Sequence, residues 1–170
     1  DRAYTATASC SESRGSILTG LYPHQNGQIG LATPHYRLFR EWPNVASLLG
    51  QAGYRTGILG KLHINPESAF PFELRWKPPE FCSFEHRDVR KMAEVARQFF
   101  DKSPEPFFLM VNYPDTHLPY LRQDNGLPEK PLDAKDVRIF PFLGLDSPKL
   151  RDDVAGYYNC LSRLDTGVGL

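Results

Sequence analysis

Gly53-Tyr54-Arg55-Thr56-Gly57-Ile58-Leu59-Gly60-Lys61-Leu62-His63 decides how this chain folds. Thr56 to Leu59 is a short, mostly apolar run, and such a run predicts a strand buried on both faces of a parallel sheet. Upstream, Val45, Leu48 and Leu49 recur at helical spacing, and Gly53 falls where that helix should stop. Lys61 and His63 sit just beyond the strand. Open α/β sheets gather their ligand-binding residues there, outside the carboxyl ends of strands. Alternate residues of an extended segment share a side, so both side chains are expected to point the same way. A lysine offers a compact charge to a tetrahedral oxyanion, and a histidine moves protons near neutral pH. Taken alone, the pair fits equally well a solvated lysine and a satisfied histidine.

Residues 64 to 87 carry Pro66, Pro71, Pro78 and Pro79 and read as a long irregular excursion. Val89, Met92, Ala96 and Phe99 then mark one face of an amphipathic helix that ends at Pro104 and Pro106. Phe107-Phe108-Leu109-Met110-Val111 is the clearest strand, and it leads into Asp115-Thr116-His117. The Pro-Asp-Thr turn should expose His117 above the sheet edge. The plainer reading is a loop histidine, with Asp115 a turn former. A second polar, proline-rich stretch covers about residues 119 to 148. Leu150, Val154, Tyr157, Leu161, Leu164 and Val168 then line one side of a helix that starts after Ser147-Pro148. Helices alternating with strands, each strand feeding a polar loop, define a three-layer α/β pattern.

Ahead of all this stands Cys10-Ser11-Glu12-Ser13-Arg14, running on to Leu18-Thr19-Gly20. Residues 13 to 18 suit a short helix closed by Gly20, with Cys10 just ahead of it and Arg14 one turn along. A helix dipole and a guanidinium both lower a thiol pKa or hold an anion. A short C-x-x-x-R also occurs as a small buried cysteine beside a surface ion pair. Residues 21 to 43 read as a loop layer, and His24, His35 and His86 as structural or surface residues. No G-x-S-x-G elbow supports a Ser-His-Asp triad, and no phosphate-binding glycine loop is present.

Twenty basic residues balance twenty acidic ones, so no overall field draws nucleic acid or an anionic membrane. Any anion must be held by a local cluster. No apolar run reaches the length of a membrane span, and no signal peptide is visible. The 170 residues suffice for one domain with its own core. Cys10, Cys82 and Cys160 are too few and too scattered for a disulfide scaffold or a zinc site. A start at Asp1 and a stop at Leu170 within a helical pattern suggest an internal piece of a longer protein.

The combination resembles the sulfatase family. The likeness runs through SRGSILTGLYPHQNGQIGL at 13–31, QAGYRTGILGKLHINPESAFPFE at 51–73, PFFLMVNYPDTHLPY at 106–120 and YYNCLSRLDTGVGL at 157–170. Within the family it is strongest to the members that act on N-sulfoglucosamine. The resemblance implies an alkaline-phosphatase-like α/β/α fold. Residues 1–170 would then form part of the N-terminal catalytic domain, without its first strand and its C-terminal portion. It implies a glycan sulfohydrolase that removes sulfate from a sulfated sugar or glycosaminoglycan, as ester or sulfamate.

Carried over residue by residue, Cys10 would be oxidised to formylglycine by a maturation enzyme. One hydroxyl of the hydrated aldehyde would attack sulfur, and its oxygens would bind a divalent metal, calcium in this family. Arg14 would stabilise the hydrate, and Lys61 would bind the sulfate oxygens. His63 would take the proton from the second hydroxyl, freeing sulfate. His117 would contact the sulfate and protonate the leaving oxygen or nitrogen. The other metal ligands of the family lie outside this chain, so the isolated piece is expected to be inactive. Periplasmic, secreted or lysosomal placement follows from the same likeness.

Glu12 departs from the family motif, which usually has Pro or Ala at that position, and the maturation enzyme reads it. A carboxylate there also repels an anionic substrate unless it points away. Three alternatives follow: a phosphonate or phosphodiester hydrolase of the same superfamily, a sulfatase-like protein that only binds sulfated glycans, and a plain cysteine hydrolase using Cys10 and His63.

Overall fold

The computed structural model describes residues 2–78 and 87–170, so Cys82, His86 and Pro79 lie outside the described residues. Backbone contacts divide the chain into two compact units. The first comprises Asp1–Trp76 with Ser103–Met110, the second Lys77–Lys102 with Val111–Leu170.

In the first unit, helix α1 spans Cys10–Thr19. It starts three residues earlier than the sequence reading placed it, so Cys10 is its first helical residue and not a residue ahead of it. The reason is local. Ser9 is the extended N-cap and its hydroxyl donates to Glu12 Oε2 at 2.6 Å, which puts an acceptor carboxylate in the first turn. Gly20, at φ 71°, closes the helix, its N–H donating to Ser16 O. A short helix, α2 (Pro23–Asn26), interrupts the expected loop layer, starting at a proline whose missing N–H costs nothing there.

Helix α3 (Val45–Gln51) is capped by Asn44, whose side chain accepts from Ser47 N at 3.1 Å. The chain leaves it through Gly53 at φ 85° and enters strand β1 (Arg55–Gly60), in which residues 55–59 are buried. A second strand, β2 (Leu74–Trp76), lies within the stretch expected to be irregular. Three residues between flanking prolines carry too little pattern to be seen. Parallel pairing with β1 supplies the missing information, setting Gly57 opposite Leu74 and Leu59 opposite Trp76. A third strand, β3 (Phe107–Asn112), completes a sheet of order β2-β1-β3 with β1 at its centre. Leu18, Leu38, Ala46, Ile58, Ile64, Phe70 and Phe72 form the core of this unit.

In the second unit, helix α4 (Val89–Asp101) is capped by Asp88, which accepts from Lys91 N at 2.9 Å. Three of the four positions its spacing predicts, Val89, Met92 and Phe99, are buried, and Ala96 is half-buried. Helix α5 (Pro148–Gly169) begins after Ser147, whose hydroxyl accepts from Leu150 N. Its buried stripe shares Val154 with the predicted one and otherwise differs from it. Gly156, Asn159, Cys160, Arg163 and Gly167 face inward, while Val168 is 71% exposed. Close approach explains the rotation. A Cβ on Gly156 would lie 2.9 Å from the Tyr120 carbonyl oxygen, and one on Gly167 would lie 2.8 Å from Val89 Cβ. Small residues face the contact, so counting large apolar residues points to the wrong side. Among the described residues no helix is long and apolar enough to cross a membrane.

Candidate active site

Four of the predicted site residues, Cys10, Arg14, Lys61 and His63, belong to the first unit, and α1 and the loop after β1 join them. Cys10 is a half-buried free thiol at the first position of α1. The unpaired N–H groups of that helix end and its dipole favour negative charge there. One turn on, Arg14 Nη1 donates to the Lys61 carbonyl at 2.7 Å, tying the helix to the loop. Burial lowers the Arg14 pKa, and the neighbouring Cys10 pulls it back up.

His63 is not on an extended segment, contrary to the sequence reading. Its φ is 55°, and Gly60, at the end of β1, has φ 86°. Strand alternation therefore does not orient Lys61 and His63; side-chain bonds do. His63 Nδ1 lies 3.3 Å from Ser11 Oγ, and Nε2 lies 2.7 Å from Thr33 Oγ1. Ser11 is fully buried and accepts the Ala32 N–H at 2.9 Å. Burial lowers the His63 pKa, the cationic Lys61 and Arg14 lower it further, and Glu12 opposes them. The ring is thus held neutral at neutral pH, the state a proton acceptor needs.

Ser11 and Thr33 escaped the sequence reading, because a hydroxyl beside a histidine leaves no periodic signal. The same holds for their support. Buried Gln28 donates from Nε2 to Gly30 O (2.7 Å) and Tyr36 O (3.1 Å), while its Oε1 accepts from Asn65 N. Asn65 Nδ2 donates to Ala32 O at 2.8 Å and to Tyr36 O at 3.1 Å. These bonds shape the loop that brings Thr33 to His63. The Glu12 carboxylate accepts the Ser9 hydroxyl, a side-chain bond within the first turn of α1.

His117 belongs to the second unit, where it is exposed as predicted. Its Nδ1 lies 2.7 Å from Leu118 O. A carbonyl only accepts, so Nδ1 carries a hydrogen. Asp115, two residues before it, is buried between arginines rather than serving as a simple turn former. Of the remaining histidines among the described residues, His24 stacks on Tyr22 and His35 lines an open cleft with Tyr36 and Phe39. Cys160 is fully buried, and burial raises its thiol pKa.

The whole chain, residues 1–170, matches the sulfatase family model, and the chain belongs to the sulfatase family. It is similar to human N-sulphoglucosamine sulphohydrolase, 33% identical over 191 aligned residues that cover 99% of this chain and 38% of that protein. It is similar also to an ulvan-active sulfatase of Formosa agariphila, 25% identical over 169 residues, or 96% of this chain and 31% of the relative. The chain thus spans about two fifths or less of the length of these curated relatives. Among solved structures, Ps i-CgsB in complex with k-i-k-neocarrahexaose superposes with a TM-score of 0.64 at 21% identity, covering 98% of this chain and 44% of that one. The fold is accordingly α/β of the alkaline-phosphatase-like type, with a parallel sheet and part of the full domain.

Proposed function

We propose that the protein carrying this chain hydrolyses a sulfate ester or sulfamate of a sulfated sugar, N-sulfoglucosamine in type, through a formylglycine formed at Cys10. The observation that carries the reading is the link between α1 and the loop after β1. Arg14 is bonded to the Lys61 carbonyl, and Ser11, the neighbour of Cys10, touches His63. Likeness along 99% of this chain to an N-sulphoglucosamine sulphohydrolase, of which it covers 38%, supports the substrate class.

Formylglycine, once formed and hydrated, supplies the nucleophilic hydroxyl. The chain's own residues do the rest. Arg14, one turn from Cys10 and fixed by Lys61 O, offsets negative charge at the helix end. Lys61 binds sulfate oxygens as a point charge. His63, neutral and clamped between Ser11 and Thr33, accepts a proton. His117 delivers one to the leaving oxygen or nitrogen from Nε2.

Calcium fits this chain less well. Among the described residues no group of three or more His, Cys, Asp or Glu side chains could hold a metal ion. Cys10, as formylglycine, would be one ligand, and no step here is routed through the metal. That residues 1–170 are part of an N-terminal catalytic domain, in a secreted, periplasmic or lysosomal protein, belongs to the same proposal.

The test is turnover by the complete protein on an N-sulfated glucosaminide, an aryl sulfate and a phosphodiester, with Cys10→Ala beside the parent. Sulfate release from the sugar, abolished by Cys10→Ala, is expected. A preference for the phosphodiester would favour the phosphodiesterase alternative, and undiminished activity in Cys10→Ala would end the formylglycine reading.

A further inference from the structure

In the second unit a three-residue ionic cluster is fully withdrawn from water. Arg163 grips Asp115 with two bonds, Nε to Oδ2 at 2.8 Å and Nη2 to Oδ1 at 2.9 Å. Arg87 Nε adds a third, to Oδ1 at 3.2 Å. The side chains of all three are 0% exposed. Apolar residues of similar volume would commonly serve stability as well or better, so the arrangement calls for another explanation.

The remaining donors supply it. Arg87 Nη2 reaches His117 O and Pro119 O, each at 3.3 Å. Arg163 Nη1 reaches Leu121 O at 3.4 Å and Leu127 O at 3.2 Å. Asp124 in turn accepts the backbone N–H of Arg87. The segment is therefore held through the Asp115 side chain two residues before His117, and through the carbonyls of His117 itself and of Pro119 two residues after it. The ring at the centre of this grip is exposed and has its tautomer set by Leu118 O.

We propose that Arg87 and Asp115, locked together by Arg163, are positioning residues for His117. They fix the backbone of the residue whose Nε2–H, in the proposed reaction, protonates the leaving group of the sulfate ester or sulfamate. As the sulfur–oxygen or sulfur–nitrogen bond breaks, its electron pair stays on the sugar and takes the proton from Nε2, leaving a neutral imidazole. The proposal rests on the role given to His117 above.

Leaving-group dependence tests it in the complete protein. Parent, His117→Gln, Arg87→Gln and Asp115→Asn are compared on an activated aryl sulfate, which needs no proton to depart, and on an alkyl or sugar sulfate, which does. His117→Gln is expected to lose at least about a hundredfold in kcat on the poor leaving group and little on the aryl sulfate. Arg87→Gln, which keeps the Asp115–Arg163 pair, should lose about ten- to a hundredfold with the same selectivity. Asp115→Asn gives an independent reading should Arg87→Gln fail to fold. Equal losses on both substrates, or none, in the folded variants would overturn the positioning role while leaving His117 in place. Absence of selectivity in His117→Gln itself would instead remove the acid role of His117, and the proposal with it.

Discussion

Thr33 Oγ1 lies 2.7 Å from His63 Nε2, and Ser11 Oγ lies 3.3 Å from Nδ1 on the other side of the same ring. The imidazole is thus oriented by two hydroxyls, one from α1 and one from a loop that Gln28 and Asn65 shape. Thr33→Val keeps the volume and removes the hydroxyl. It should lower kcat about tenfold with little change in KM, because the ring loses one of the two hydroxyls that orient it. Steady-state kinetics of the complete protein check this, and a change in KM alone would count against it.

The His63 pKa is lowered, chiefly by burial and then by Lys61 and Arg14. With the folded value below the unfolded one, the unfolded chain takes up the proton first as pH falls. Stability from this group is therefore intact above about 6.5, the unfolded value, and declines below it towards the folded pKa. Replacing Lys61 by Met removes a positive neighbour and should raise the His63 midpoint. An NMR titration of the imidazole reads this directly, and an unchanged or lower midpoint would contradict the assigned cause.

Glu12 accepts the Ser9 hydroxyl and sits in the first turn of α1. Glu12→Ala should cost about 0.5–1 kcal/mol, measured by denaturant unfolding, because the side-chain bond to Ser9 and a favourable dipole contact are lost together. Glu12→Pro should cost no more, since a first-turn proline gives up only an N–H with no partner inside the helix. A much larger loss in the proline variant would mean that the Glu12 backbone has another role.

Asp115→Ala leaves Arg87 and Arg163 buried around an absent carboxylate. The expected cost is about 3–5 kcal/mol, against well under that for truncating an exposed partner such as Asp153, which pairs with Lys149 on the surface of α5. Chemical denaturation of both variants decides the comparison, and similar values would show that the buried cluster carries no special energy.

Gly167→Ala puts a methyl group against Val89 Cβ at 2.8 Å and the Tyr113 ring at 3.0 Å. It should destabilise by about 1–3 kcal/mol through overpacking, whereas Gly169→Ala meets nothing and should be near neutral. Thermal unfolding of the pair is sufficient.

Much of this architecture was legible in the residues. The apolar run at 56–59, the stripe Val89–Met92–Phe99 and the Ser147-Pro148 start of α5 each carry a local signal strong enough to place an element. Strand β2 carried none, because its identity comes from pairing with β1. Beyond Val154, the inward face of α5 departs from its periodicity for a related reason: close packing selected glycines and placed Arg163 inside, where periodicity looks for large apolar residues. The site divides in the same way. Cys10, Arg14, Lys61, His63 and His117 stand in motifs, and their types suggest the chemistry. Ser11, Thr33, Arg87 and Asp115 act through contacts between segments far apart in sequence, and neither spacing nor motif reveals those.

Everything proposed for the site depends on the state of Cys10. Peptide mass spectrometry on the complete protein from its native host reads that state in the tryptic peptide from Ala3 to Arg14. The account predicts a peptide that has lost hydrogen sulfide and gained one oxygen, resistant to a thiol alkylator. A peptide found only with an alkylatable thiol at Cys10 would contradict it, and a sulfatase-like protein that binds without turnover would then be the better description.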